Sequence, residues 1–130
     1  MIVVDASALV AILLQEPEED AFLEVLSRSS GVLSPIGYWE AHTRVQALRG
    51  DDGVQRLDRL LANFDIRIAP ATDVTAKLAV QAQVAFGKRT PAKLNLGDCF
   101  AYALAKERGA ALLYKGDDFA RTDVEPAAGA

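Results

Sequence analysis

Four short apolar runs, at residues 2–4, 31–34, 66–69 and 111–114, alternate along the chain with longer stretches of helical spacing. A strand that must travel through a helix before the next strand begins pairs in parallel, and the crossing helices cover both faces of the sheet. The pattern therefore predicts an α/β fold around a parallel sheet, without internal repeats or a linker between domains.

The helical stretches have their own punctuation. The first follows the opening strand at Asp5-Ala6-Ser7. A second comes after Pro17, with Glu18, Glu19 and Asp20 in its first turn and Phe22, Leu23, Val25 and Leu26 as apolar positions. A third runs from about 36 to 49 with Tyr38, Ala41, Val45 and Leu48 as its stripe, ends at Gly50 and is followed by a turn at Asp51-Asp52-Gly53. Residues 54–63 make a fourth with Leu57, Leu60 and Leu61 inward. Residues 73–86 make a fifth, with Val74, Leu78, Val80 and Val84 among its apolar positions, stopped by Gly87.

The last helix opens at Leu94-Asn95-Leu96-Gly97-Asp98 and is apolar on every side from Cys99 to Ala105, which marks it for burial. Asn95 is a good N-cap, and Asp98 three residues on completes a capping box. It ends at Gly109. The tail from 126 to 130 is small in composition and expected to be loose.

A chain of 130 residues supports one compact domain with a core, here taken as 1–130. One cysteine, Cys99, excludes an internal disulfide and fits a reducing cytoplasm. No apolar run approaches a membrane span, and no signal-peptide pattern opens the chain. The net charge of −4 argues against a protein that coats nucleic acid non-specifically, since that requires Lys and Arg against phosphates. It leaves room for an enzyme with a local basic groove and its acids gathered at a cation.

Ligands of parallel sheets bind beyond the carboxyl ends of the strands, where the strand order reverses. Asp5 follows the first strand, and the adjacent Asp117 and Asp118 follow the last. Asp98 heads the helix that feeds the last strand, and Glu40 lies on the helix after the second. Each has a bland reading: Asp5 and Asp98 as caps, Glu40 paired with Arg44 one turn on, Asp117 and Asp118 as turn residues. Yet two carboxylates ~5 Å apart repel by roughly 3 kcal/mol at an effective dielectric of ~20. Several together either take up protons or recruit a cation. An all-oxygen donor set, without histidine or cysteine, favours Mg²⁺ or Mn²⁺ over Zn²⁺ and suits hydrolysis of a phosphodiester by activated water.

Those segments, Val4-Asp5-Ala6-Ser7-Ala8-Leu9, Glu40, Leu94 through Ala105, and Leu112 through Phe119 with Thr122-Asp123-Val124, resemble the four signatures of PIN-domain ribonucleases. The chain is similar, over its whole length, to VapC toxins of VapBC (type II) toxin–antitoxin systems. The resemblance implies a PIN-like three-layer α/β/α fold with a short, mainly parallel sheet of about four to five strands. It implies a toxin that is an Mg²⁺- or Mn²⁺-dependent endoribonuclease, leaving a 3′-hydroxyl and a 5′-phosphate. Asp5 and Asp98 are then the chief metal ligands, and Glu40 and Asp117 complete the catalytic acids. Asp118 is the alternative fourth acid, and Ser7 contacts the metal shell or its water. A homodimer and a cognate VapB antitoxin that fills the pocket, often with an arginine, are implied as well.

Lys88, Arg89 and Lys93 form the only clearly basic run and, with Arg44, are the candidate RNA contacts; a solvated loop is the plain alternative. Tyr38 and Trp39 are either base-stacking or packing residues, and His42, the single histidine, is expected on a helix surface. Two rival functions stand beside the nuclease: a catalytically inactive PIN-like binding module, and a phospho-acceptor domain using Asp5. The first leaves four filled acid positions unexplained. The second lacks an acidic pair at the first strand, where Ser7 stands.

Overall fold

The structure is a computed structural model and describes residues 1–128. Four parallel strands, β1 (Ile2–Val4), β2 (Gly31–Leu33), β3 (Ile66–Ile68) and β4 (Leu112–Leu113), form one sheet in the order β3-β2-β1-β4. The chain steps from β1 outward to β3, then returns to add β4 on the other side of β1. The order thus reverses between β1 and β4, and the crevice at their carboxyl ends is the switch point.

Side chains alternate across the central strand. Ile2 and Val4 face a core shared with α1 (Ala6–Leu13), α2 (Glu19–Arg28) and α3 (Pro35–Asn63), built on Leu9, Ile12, Phe22, Leu26, Val45 and Leu57. Val3 faces the opposite core, with α4 (Asp73–Phe86) and α5 (Leu96–Arg108), built on Ala79, Ala82, Cys99, Ala103 and Leu104. The three-layer α/β/α architecture and its parallel sheet follow the sequence pattern.

Local departures each have a cause. Ser34 belongs to α3 rather than to the second strand: its Oγ accepts from the amides of Ile36 and Gly37 at 3.1 and 3.5 Å, and Pro35 supplies the first helical position. The two helices expected on either side of an Asp51–Gly53 turn are one kinked helix. Gly50 alone, at φ +64° and ψ −157°, absorbs the bend, and helical geometry resumes at once. Leu48, just before that kink, is exposed instead of inward.

In α4 the valines face outward. Val74, Val80 and Val84 are exposed, while Thr75, Ala79 and Ala82 are buried against α5. Small residues let the two helices approach closely, so the heavier apolar side chains are not the buried ones. Thr75 is held by an Oγ1 hydrogen bond to Glu107 Oε1 at 2.7 Å. The tail expected to be loose is tied down through 127: the Leu112 amide donates to Glu125 O and the Ala127 amide to Leu112 O, both at 2.8 Å. Residues 129–130 lie outside the described residues. Among the described residues no helix is long and apolar enough to cross a membrane.

Candidate functional site

Asp5 leaves β1 and becomes the N-cap of α1. Its Oδ2 accepts from the Ser7 amide at 3.0 Å and from the Ser7 hydroxyl at 2.5 Å. Ser7 Oγ in turn accepts from the Lys115 amide at 3.0 Å, which fastens the loop after β4 to the loop after β1. Asp5 is only 5% exposed. Burial pushes its carboxyl up to about 6 against the opposing pull of the Ser7 bonds, with a smaller upward push from the Asp98 charge.

Asp98 is the third residue of α5 and closes a reciprocal cap. The Asn95 amide donates to its Oδ2 at 3.0 Å, and its own amide donates to Asn95 Oδ1 at 2.8 Å. Burial raises its carboxyl, the Asn95 bond and the Lys88 charge oppose this, and the Asp118 charge adds to it. For both aspartates the capping reading and the acid-cluster reading hold together: the cap is what fixes the carboxylate.

Glu40 comes to the same place from α3. Its carboxylate lies over the first turn of α5, against Gly97, so closely that a Cβ at 97 would fall 1.9 Å from Oε1 and 2.6 Å from Oε2. Among the described residues it forms no ion pair with Arg44, so the bland reading of a surface pair fails. Burial, then the charges of Asp5 and Asp98, lift its carboxyl to about 7. Asp5, Glu40 and Asp98 therefore act on one another's charge at the switch point; among the described residues no three His, Cys, Asp or Glu side chains are grouped so as to hold a metal ion.

Of the two acids after β4, Asp118 is the one whose charge adds to the upward push on Asp98. Gly116 turns at φ +104°, and Asp118, the second acid, is the one that leads into the 3₁₀ turn Phe119–Arg121. Ser7 is bonded to Asp5 and Lys115, so it acts on the recess by holding a carboxylate. From the basic run, Lys88 alone has a charge that reaches Asp98; Lys88 and Arg89 line a hollow of about 950 Å³ between α4 and α5, and Lys93 and Arg44 are exposed elsewhere. His42 is tied to Tyr38, whose hydroxyl donates to Asp58 at 3.0 Å.

Sequence reasoning overlooked two parts of this arrangement. Gly97 is one; its signal was a glycine set directly before the acid of a helix's first turn. Lys115 is the other. Its Nζ lies 3.0 Å from Glu16 Oε2 and 3.3 Å from Glu18 Oε1, pinning the loop after α1 beneath the recess.

Comparisons with known proteins agree with this architecture. The PIN domain family matches residues 2–125. Ribonuclease VapC42 of Mycobacterium tuberculosis is 38% identical over 128 residues, covering 96% of this chain and 98% of the relative. The VapC ribonuclease R02377 of Rhizobium meliloti is 40% identical over 138 residues, covering 93% and 97%. Among solved structures, M. tuberculosis VapC20, described as a sarcin-ricin loop cleaving toxin, superposes with a TM-score of 0.77 at 14% identity, covering 95% of this chain and 96% of that one. A toxin–antitoxin complex from Klebsiella pneumoniae gives 0.71 at 18% identity, covering 95% and 93%. The chain belongs to the PIN-domain family, among its VapC ribonucleases.

Proposed function

We propose that this chain is the toxin of a type II toxin–antitoxin pair and cuts RNA internally, with Mg²⁺ or Mn²⁺ held by Asp5 and Asp98. The observation that carries this reading is the convergence of Asp5, Glu40 and Asp98, from three separate elements, on one recess where each raises or is raised by another's charge. The donors are all oxygen, and no three described His, Cys, Asp or Glu side chains close into a metal cage. An ion that keeps several waters takes only one or two carboxylates, which Asp5 and Asp98 can supply. When bound, the ion supplies Lewis-acid polarisation of the scissile phosphate and lowers the pKa of a water.

The chain's own residues do the rest. The two helix caps hold Asp5 and Asp98 in fixed positions, so no reorganisation is needed when the ion arrives. Glu40, lifted to about 7, is suited to accept a proton from the attacking water near neutral pH. Asp118 closes the recess from the β4 side, with Asp117 beside it, and Lys88 offers a positive charge to the RNA backbone. The products are a 3′-hydroxyl and a 5′-phosphate.

A second copy of the chain covers the exposed valines of α4, and a VapB-type antitoxin occupies the recess with a cationic side chain. The setting is the cytoplasm. Cleavage of a panel of RNAs with Mn²⁺, wild type against Asp98→Asn, tests the reading. Loss of cleavage with an unchanged melting temperature is expected, and equal activity in both proteins would remove it in favour of an inactive binding module.

A further inference from the structure

The acid recess has an apolar neighbour. Pro35, Ile36 and Trp39 from the start of α3 and Asn95, Leu96 and Gly97 from the start of α5 enclose a hollow of about 580 Å³, with Glu40 as its inner wall. Trp39 and Leu96 are 65% and 68% exposed, large apolar side chains left in water on either side of it. Trp39 is therefore not a core residue of this chain. Asn95 uses its side-chain oxygen in the α5 cap, and among the described residues its NH₂ group has no partner.

A cluster of carboxylates repels a polyanion. In a nuclease with net charge −4, contacts to the uncharged parts of the strand add to what the ion and Lys88 offer its phosphates. Bases are uncharged and present flat faces that stack on aromatic rings whatever their identity. We infer that the hollow is a nucleobase subsite, in which Trp39 stacks the base of an unpaired nucleotide adjoining the scissile phosphate, Leu96 and Ile36 line the slot, and the Asn95 NH₂ donates to an acceptor on the base edge. Glu40 lines the hollow and couples electrostatically to Asp5 and Asp98, the hollow's volume accommodates a base and its ribose, and Glu40 is its only charged lining residue. Stacking there draws the strand across the carboxylates from the side. The inference rests on the ribonuclease reading and adds to it a preference for single-stranded substrate at this position.

Trp39 is the only tryptophan in the chain, so intrinsic emission reports on this site alone. The experiment titrates the whole protein with fluorescein-free oligouridylate, oligoadenylate and an abasic ribose-phosphate of equal length, with Ca²⁺ as the divalent ion to hold hydrolysis off. Anisotropy of labelled copies measures total binding in parallel. Quenching by the base-bearing oligomers but not the abasic one is expected. Trp39→Ala should weaken binding and raise KM by about tenfold or more with little change in kcat, and Trp39→Phe should restore most of it. Oligomers that bind without changing the emission, or that bind Trp39→Ala as well as wild type, would overturn the subsite while leaving the nuclease intact. So would equal quenching by the abasic strand, or an emission that follows protein concentration rather than RNA, which would place a second copy on Trp39. If no oligomer binds and none is cut with Mn²⁺, the ribonuclease reading falls and the subsite with it.

Discussion

Glu40 occupies the space that a side chain on Gly97 would fill, its Oε1 1.9 Å from where that Cβ would stand. The glycine is helical and free of positive φ, so its role is to leave room rather than to permit a turn. Gly97→Ala should leave the fold intact and somewhat more stable, since alanine is favoured over glycine in a helix by about 1 kcal/mol. Displacing a carboxylate of the recess should weaken Mn²⁺ binding by roughly tenfold or more, the scale seen when groups supporting a metal site are moved. Calorimetric Mn²⁺ titration reads this directly. Adding Glu40→Asp, which withdraws the carboxylate by one methylene, should recover part of the affinity. An unchanged affinity in Gly97→Ala alone would show that Glu40 moves freely.

Asp5 and Glu40 hold protons more tightly in the folded protein than in the unfolded chain, with folded values of about 6 and about 7 against ordinary values of 3.8 and 4.5. For acids shifted upward the folded state binds more protons, so stability without a divalent ion falls as pH rises through this window. The cost is absent below about pH 4 and complete above about pH 7, and for fully buried Asp5 it amounts to ~3 kcal/mol. Asp5→Asn keeps an oxygen for the Ser7 bonds and removes the charge. Its melting temperature should exceed that of wild type by a margin that widens between about pH 4 and about pH 7. Saturating Mn²⁺ should stabilise wild type and shrink the margin. A margin independent of pH would contradict the burial argument.

Ser7 holds Asp5 in place and bridges it to the Lys115 amide. Ser7→Ala removes the donor to Asp5 Oδ2 and orphans the Lys115 N–H, a loss of about 1–3 kcal/mol read by urea melts. Because the Ser7 hydroxyl bond pulls the Asp5 carboxyl down, its removal lets the carboxyl rise further, with the amide bond still in place. The acid limb of the cleavage profile should move to higher pH, which a purely structural role would not produce. A limb that stays where it was would restrict Ser7 to stability.

Val80 and Val84 are exposed on α4, at 61% and 79%. Contiguous apolar area of this kind on a soluble protein marks a contact surface. Val84→Asp should leave thermal stability within about 0.5 kcal/mol of wild type and convert a dimer to a monomer in light scattering. A wild-type protein that is already monomeric would reject the dimer on this face.

The sequence was most readable where local chemistry and tertiary structure ask for the same residue. The strands, the α5 capping box and the Asp5 cap of α1 all fall in that class. It misled where size stood in for burial. The valines of α4 look like a core stripe, but the alanines between them make the contact with α5. A helix end at Gly50 and a turn over 51–53 were expected where one helix kinks at Gly50, because the acids that follow suit a turn as well as a helix interior. Asp117 is favoured by the sequence as the first acid after strand and turn, but two adjacent acids after a glycine at φ +104° carry no local mark of which one faces Asp98. Contacts between distant segments, such as Glu40 on Gly97 or Lys115 with Glu16 and Glu18, have no signature along a single chain.

The aspartates that bear the negative charge of the cleft also serve its helix ends, Asp5 as the cap of α1 and Asp98 as the answering acid in the capping box of α5. Truncating either to alanine strips a charge and unravels a helix end at once, so inactivity and misfolding arrive together. Replacing a carboxylate oxygen by an amide nitrogen is the narrow exit: the helix keeps its acceptor, and only the chemistry goes quiet. A folded but harmless form of this protein is thus a single isosteric exchange away, and few other changes at those two positions reach it.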